Sequence, residues 1–172
     1  MLMETERIML IAEVEPVLEK VRRIMRVLGF SVVERRAPLV IVGKSDLPTP
    51  GHYRADRHVV VLRADDLITL AHEPCHSQQP DWNQTYNRGG YIDMAAWLAT
   101  PQEQEAMAVE RLIRLPLDEI ERAADALRAA DIPVTAAWVQ WVIRADIRAE
   151  KPHHISRKPR LIINRFVKGE KA

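Results

Sequence analysis

Two histidines four positions apart, with a glutamate beside the first, are the residues of this sequence best suited to chemistry. They lie in the segment HEPCH, where His72, Glu73 and His76 match the pattern HExxH. On a helix, positions i and i+4 share one face, so both imidazoles can bind the same divalent ion through ring nitrogens. Glu73 is then placed to accept a proton from a water molecule that the ion activates. The motif predicts a metal site, with zinc favoured and Glu73 as the catalytic residue.

A catalytic zinc needs a third protein ligand, and two carboxylates on the next predicted helix are candidates. In the run TPQE, Glu103 would complete a capping box with Thr100, and we expect it, like Glu110, on the solvated face. Glu105 instead has helical spacing with the apolar positions that end at Leu112. Its carboxylate would therefore project from the buried face, where a cation would compensate its charge. Glu105 is the predicted third ligand, and Glu103 stays open as the alternative.

A histidine that binds a metal usually donates its other ring N–H to a carboxylate or a carbonyl oxygen. No acidic residue stands four positions after Glu105, because Val109 occupies that position. The candidates for this contact are therefore Asp65, Asp66 and Asp93, and the sequence does not choose among them.

The elements around the motif indicate an α+β fold, in which a short sheet packs beside the HExxH helix and the C-terminal half is helical. The apolar positions of residues 14–28 follow the helical period, and Gly29 stands where a helix would end. β-Branched runs at 30–33, 39–42 and 58–62 predict three strands.

The HExxH helix should follow the third predicted strand, with Asp65 or Asp66 accepting from the amides of its first turn. Pro116 and Pro133 separate the helical patterns that follow. In the last of these patterns, Trp138 and Trp141 are three positions apart, which is typical of a packing stripe.

The composition is that of a folded protein in which positive and negative charges nearly balance. The chain has 172 residues, of which 47% are hydrophobic, a net charge of +1 and one cysteine. A single cysteine excludes an internal disulfide and favours a reducing compartment. No apolar run approaches the roughly 20 residues that span a bilayer, and the N-terminus lacks the basic start of a signal peptide. We expect a cytoplasmic protein with no membrane partner, or a virion component if it belongs to a phage.

The C-terminal segment differs from the rest of the chain. We expect a single domain over residues 1–150 and a basic tail or docking arm over residues 151–172, where Glu170 is the one acidic residue among seven Lys and Arg. Pro152 and Pro159 are expected to break any helix there. The tail alone is suited to phosphate contact, so we do not expect nucleic acid as the main partner.

The motif and the helix after it resemble the minimal zincins of the gluzincin type. The resemblance rests on HEPCHSQQ, a following tyrosine-containing segment and PQEQEA, and it spans about residues 58–115. It implies a zincin-like fold with bound zinc, in which the predicted strand 58–62 is the sheet edge along which an extended peptide lies. The implied roles are ligands for His72, His76 and Glu105, and general base for Glu73.

By this resemblance, the expected function is hydrolysis of peptide bonds in a peptide or protein substrate. Pro74 lies inside the motif, where it would cost about 3 kcal/mol unless the helix begins late, near Thr69. The alternative function is that of a non-catalytic structural component of a larger assembly, for example a phage particle, which retains a zincin-like fold and binds protein partners. The chain's small size and basic tail are compatible with that alternative.

Overall fold

The mixed α+β architecture predicted from the sequence is confirmed by a computed structural model that describes residues 6–43, 49–80, 82, 97–146 and 157–167. Within these ranges the strands are β1 (Arg7–Ile8), β2 (Leu39–Val42), β3 (Gly51–Arg54) and β4 (Val59–Leu62). The helices are α1 (Ile11–Val27), α2 (Leu67–Gln78), α3 (Pro101–Leu112), α4 (Leu117–Ala129), α5 (Val134–Asp146) and α6 (Arg157–Phe166). In the described part of the second half of the chain, the regular secondary structure is helical, as predicted.

The four strands form one mixed sheet in the order β1-β2-β4-β3. β2 and β4 run parallel, with Val40 opposite Val60, whereas β1 and β3 are antiparallel to their neighbours. The strand predicted at residues 30–33 is wrong, because the Val33 N–H donates to the Gln78 carbonyl at the end of α2 (2.8 Å) and the segment joins no sheet. The short strands β1 and β3 were not predicted.

The prediction that residues 58–62 form a sheet edge is also wrong. β4 lies between β2 and β3 and is paired on both sides, which suits a strand of four apolar residues. On the side of β4 the sheet ends with β3, in which Gly51 and Tyr53 are buried and His52 and Arg54 are half-buried. This alternation is that of a strand with one face on the core.

Helix α1 begins and ends close to the predicted positions, and its capping explains its end. Gly29 has φ +80°, and its N–H donates to the Arg26 carbonyl (3.1 Å) while the Phe30 N–H donates to the Met25 carbonyl (2.8 Å). These two bonds form a Schellman motif, which glycine favours because it adopts positive φ without strain. The left-handed glycine predicted at residue 29 is confirmed.

The core has two parts, one on each side of α2. Val40, Val60 and Leu62 of the sheet pack with Leu70 of α2 in the smaller part, and helices α1 to α6 surround the larger part. Arg22 of α1 is buried and donates to the Gln78 side chain (3.1 Å), which ties α1 to the end of the HExxH helix. Both faces of α2 are therefore fixed by neighbouring elements.

The C-terminal helices pack on this core. Trp138 and Trp141 are buried, which confirms the predicted packing stripe. The expectation that Pro159 breaks any helix is wrong, because it is the third residue of α6, where backbone N–H groups have no helical acceptor to lose. Ile163 and Val167 join the larger core, while the division at residue 150 stays a prediction. None of the helices in the described ranges combines the length and apolar character needed to cross a membrane.

Candidate metal centre

The HExxH motif lies in the second half of α2, and the helix begins earlier than Pro74 would favour. Asp66 is the N-cap: its carboxylate accepts from the Thr69 N–H (3.0 Å) and from the Thr69 hydroxyl (2.8 Å). The helix therefore starts at Leu67, which makes Pro74 its eighth residue and leaves the Leu70 carbonyl without the usual i+4 donor. The helix thus lacks one backbone hydrogen bond within the motif itself.

The two motif histidines converge on Glu103, which α3 brings across from the facing side. His72 Nε2 lies 2.7 Å from Glu103 Oε1, and His76 Nε2 lies 3.3 Å from Glu103 Oε2. The ligand atoms of the three residues all lie within 4.8 Å of one another. His76 and Glu103 are each about 1% exposed. Two imidazole nitrogens and a carboxylate thus meet in a buried position.

The expectation of a solvated Glu103 is wrong, and the predicted capping box explains the error. Thr100 is the N-cap of α3 and Pro101 follows it, as predicted, but the Thr100 hydroxyl donates to the Trp97 carbonyl (2.8 Å) and makes no cap bond. The Glu103 carboxylate is directed to the histidines instead. Glu105 lies elsewhere: its Oε2 accepts from Gln79 Nε2 (3.0 Å). The structure therefore brings Glu103, not Glu105, to the histidine pair.

The other nitrogen of each ring is held by a residue that the sequence analysis did not identify. His72 Nδ1 lies 2.7 Å from Glu110 Oε2, and His76 Nδ1 lies 2.8 Å from Gln79 Oε1. Glu110 was expected on the solvated face, but it follows Glu103 by seven residues, two helical turns, and this spacing is the signal that could have found it. Gln79 follows His76 by three residues, a spacing that also brings side chains together.

The aspartates considered for these contacts have other roles. Asp65 pairs with Arg7 (2.8 Å), and Asp66 caps α2. Asp93 lies outside the described residues. Cys75 is buried with its sulfur 3.7 Å from that of Met25, on the side of α2 that faces α1.

Burial and neighbouring charges shift the pKa values of three residues in the site. Burial alone would raise the pKa of Glu103, but its interactions with His72 and His76 outweigh burial and lower that pKa to about 2. Burial alone would lower the pKa of His72, but hydrogen bonds to Glu103 and Glu110 raise it well above its ordinary value. Burial also raises the pKa of Glu73, against the opposing effect of the two histidines.

The donor set fits a divalent ion such as zinc. Zinc binds histidine nitrogen and carboxylate oxygen at about 2.0–2.2 Å, so tetrahedral donors lie about 3.3 Å apart, which the 3.3 Å between His76 Nε2 and Glu103 Oε2 matches. The 2.7 Å between His72 Nε2 and Glu103 Oε1 is a hydrogen-bond distance, so these two atoms would move slightly apart around an ion. Glu103 Oε2 is buried and makes no aligned hydrogen bond, which leaves it free to bind a cation. Both Nδ1 atoms are engaged, so the Nε2 atoms are the available ligand atoms.

Two aromatic residues and one glycine form the wall of the site next to the sheet. The Trp82 ring stacks on the His76 ring with centroids 3.6 Å apart, and Tyr53 of β3 lies behind it at 6.4 Å. Gly51 lies against Glu73: a Cβ at residue 51 would be 3.0 Å from Glu73 Cγ. The end of β3 is therefore next to the glutamate of the motif.

Comparisons of this chain with models of protein families, with curated proteins and with solved structures found no match. The interpretation of the site therefore depends on its own geometry. Among the described residues, His72, His76 and Glu103 form the group in which three metal-binding side chains converge.

Proposed function

We propose that His72, His76 and Glu103 bind one divalent metal ion, preferably zinc, and that the protein is a zincin-like hydrolase of peptide bonds. The observation that carries the proposal is the convergence of three ligand atoms within 4.8 Å, on residues that are almost fully buried. A buried carboxylate facing two imidazoles is costly unless a cation or protons compensate it. The ligand set differs from the one predicted from sequence in that Glu103 replaces Glu105.

Glu73 supplies the acid–base chemistry in this proposal. Zinc bound at the site would polarise a carbonyl group and lower the pKa of a water molecule. Glu73 follows His72 directly and is 8% exposed, and burial raises its pKa above the ordinary value. A carboxylate with a raised pKa is a better proton acceptor, and in this proposal Glu73 takes a proton in one step and returns it to the leaving amine in the next.

The position of β3 at one end of the described sheet supports a peptide as substrate. Among the described strands, β3 is at the end of the sheet and pairs only with β4. An extended peptide could pair with this edge through main-chain hydrogen bonds. Because Gly51 packs against Glu73, such a peptide would lie close to the proposed base.

Burial of the centre favours a second candidate function. The four residues of the site, the three proposed ligands and Glu73, are at most 9% exposed, and Trp82 covers one face of His76. A closed site suits an ion that holds α2 to α3 rather than one that meets a substrate. In this alternative the protein is a non-catalytic component of a larger assembly, such as a phage particle, with a zincin-like fold.

The first experiment measures zinc stoichiometry in the native protein and in His72→Ala, His76→Ala and Glu103→Ala. We expect about one zinc ion per chain in the native protein and a large loss in each variant. His52→Ala is the matched control, because His52 lies on the opposite face of β3 from Gly51 and Tyr53. A native protein without zinc affinity would contradict the metal site.

A second experiment separates the two candidate functions. Glu73→Gln retains the size of the side chain and removes its ability to accept a proton. The hydrolase predicts retained zinc and lost cleavage of an unstructured protein such as casein. The assembly component predicts that the native protein shows no cleavage and that Glu73→Gln changes neither zinc binding nor association with partner proteins.

A further inference from the structure

Both polar atoms of the Gln79 side-chain amide have hydrogen-bond partners. Its Oε1 lies 2.8 Å from His76 Nδ1, and its Nε2 donates to the Gln102 carbonyl (2.8 Å) and to Glu105 Oε2 (3.0 Å). Gln79 is about 1% exposed. The contacts form a chain that runs from His76 at the end of α2 to Glu105 on α3.

This arrangement fixes the orientation of the Gln79 amide. A carbonyl and a carboxylate oxygen can only accept hydrogen bonds, so the NH2 group must face Gln102 and Glu105. The amide oxygen must then face His76, which means that His76 Nδ1 carries the hydrogen. In the neutral ring, His76 Nε2 then carries the lone pair, on the side that faces Glu103.

We propose that Glu105 acts through Gln79 as a positioning residue for His76, and that it is not itself a metal ligand. This inference depends on the proposed metal site. Glu105 holds the Gln79 amide in the one orientation that makes His76 Nε2 a ligand atom. Without Glu105, the NH2 group has one acceptor fewer, and the amide can rotate so that a hydrogen faces His76 Nδ1.

The backbone supports this role for Gln79. Its φ of −84° and ψ of 133° end α2 at this residue, and the Gln79 N–H donates to the His76 carbonyl (3.3 Å). The Gln79 side chain is thereby directed back toward the His76 ring. Partners that orient a histidine ligand in this way typically change metal affinity by about 10- to 100-fold when removed.

Zinc affinity, measured by competition with a chromophoric chelator, tests the role of Glu105 against that of a ligand. We expect binding to be about 10- to 100-fold weaker in Glu105→Ala. Glu105→Gln should bind nearly as well as the native protein, because its amide oxygen can still accept from Gln79. Gln104→Ala, which changes the adjacent position of α3, is the control. Equal loss in Glu105→Gln and Glu105→Ala, or no loss in either, would overturn the proposal.

A double-mutant cycle tests whether the two residues act in series. In the Gln79→Ala background, Glu105→Ala should have little further effect on zinc affinity, because the group through which it acts is already absent. Additive effects of the two substitutions would overturn the proposed chain of contacts.

A measurement without metal separates this inference from the metal site. In the zinc-free protein at alkaline pH, nitrogen NMR should show His76 as the Nδ1–H tautomer, and Glu105→Ala should shift it toward the Nε2–H tautomer. This result is independent of zinc, so a native protein that binds no zinc but shows the expected shift contradicts the proposed function alone. A native His76 in the Nε2–H form would overturn the orienting role.

Discussion

Gly51 and Glu73 lie so close together that a side chain at residue 51 would press on Glu73, so the first residue of β3 forms part of the wall behind the proposed general base. A Cβ at residue 51 would lie 3.0 Å from Glu73 Cγ, 2.8 Å from Leu62 Cδ2 and 3.0 Å from the Val61 carbonyl oxygen. The Val61 oxygen is a backbone atom, which cannot shift as easily as the end of a flexible side chain. Glycine is therefore required at residue 51, in the part of the sheet next to the site.

Gly51→Ala should lower the free energy of unfolding by about 1–3 kcal/mol, because a methyl group is forced into a filled space. In urea unfolding, the same substitution made in a Glu73→Ala background should cost less, because one of the three clashes is gone. The two effects should be coupled by about 0.5–3 kcal/mol. If the two changes in the free energy of unfolding are strictly additive, residue 51 and Glu73 do not interact.

Glu110 should matter for metal affinity through His72. Glu110→Ala removes the acceptor of the His72 Nδ1 hydrogen bond, and we expect zinc affinity to fall by about 10- to 100-fold. Glu121→Ala is a suitable control, because it removes an exposed carboxylate from the neighbouring helix α4. An equal loss of zinc affinity in both variants would show that long-range charge, and not the contact with His72, is the cause. No loss in either variant would show that the contact does not affect zinc binding.

The part of the site that the sequence predicts best is local. His72, Glu73 and His76 share one helix, and their relative placement follows from helical spacing alone. The choice between Glu103 and Glu105 requires the rotation of α3 against α2, since two positions differ by about 200° around a helix. Four consecutive residues of α3, Ala106 to Val109, are buried, so its apolar pattern does not mark a single inner face. The sequence therefore could not choose the carboxylate.

The same limit explains which strands of the sheet were predicted from the sequence and which were not. β2 and β4 are β-branched runs and were predicted, but β3 reads GHYR and β1 has two residues, so neither carries the usual signal of a strand. Residues 30–33 carry that signal and form no strand, because α2 supplies their hydrogen-bond acceptor. Which strand forms the sheet edge depends on pairing between distant segments, which local patterns do not encode.

The stability of the zinc-free protein should depend on pH through Glu103 and His72. The pKa of Glu103 is lowered from 4.5 to about 2, so its contribution to stability is complete above pH 4.5 and is lost as the pH falls toward 2. The pKa of His72 is raised well above 6.5, so its contribution is complete below pH 6.5 and is lost as the pH rises through the raised value.

Urea unfolding of the zinc-free protein and of Glu103→Gln, measured as a function of pH, checks this expectation. Between pH 4.5 and 6.5 the native protein should be more stable than Glu103→Gln by about 3 kcal/mol. This difference in the free energy of unfolding should become smaller at lower and at higher pH. A difference that does not vary with pH would mean that Glu103 stabilises the fold through packing and not through its charge.

Pro74 should destabilise α2, and its replacement gives a direct measure of the defect in the motif. Pro74→Ala restores a donor for the Leu70 carbonyl, and removing a proline from a helix interior is worth about 3 kcal/mol. Lost packing of the buried ring and a more flexible unfolded chain offset part of this gain, so we expect a net increase of about 1–2 kcal/mol in urea unfolding.

Zinc affinity should change little in Pro74→Ala, because Glu110 and Gln79 hold the two imidazole rings from outside the turn that contains residue 74. A matched alanine substitution at Pro133, which precedes α5 and interrupts no helix, should not raise stability. If Pro74→Ala instead lowers stability, the packing of its buried ring outweighs the missing hydrogen bond. A large change in zinc affinity would mean that the proline sets the spacing of the histidines.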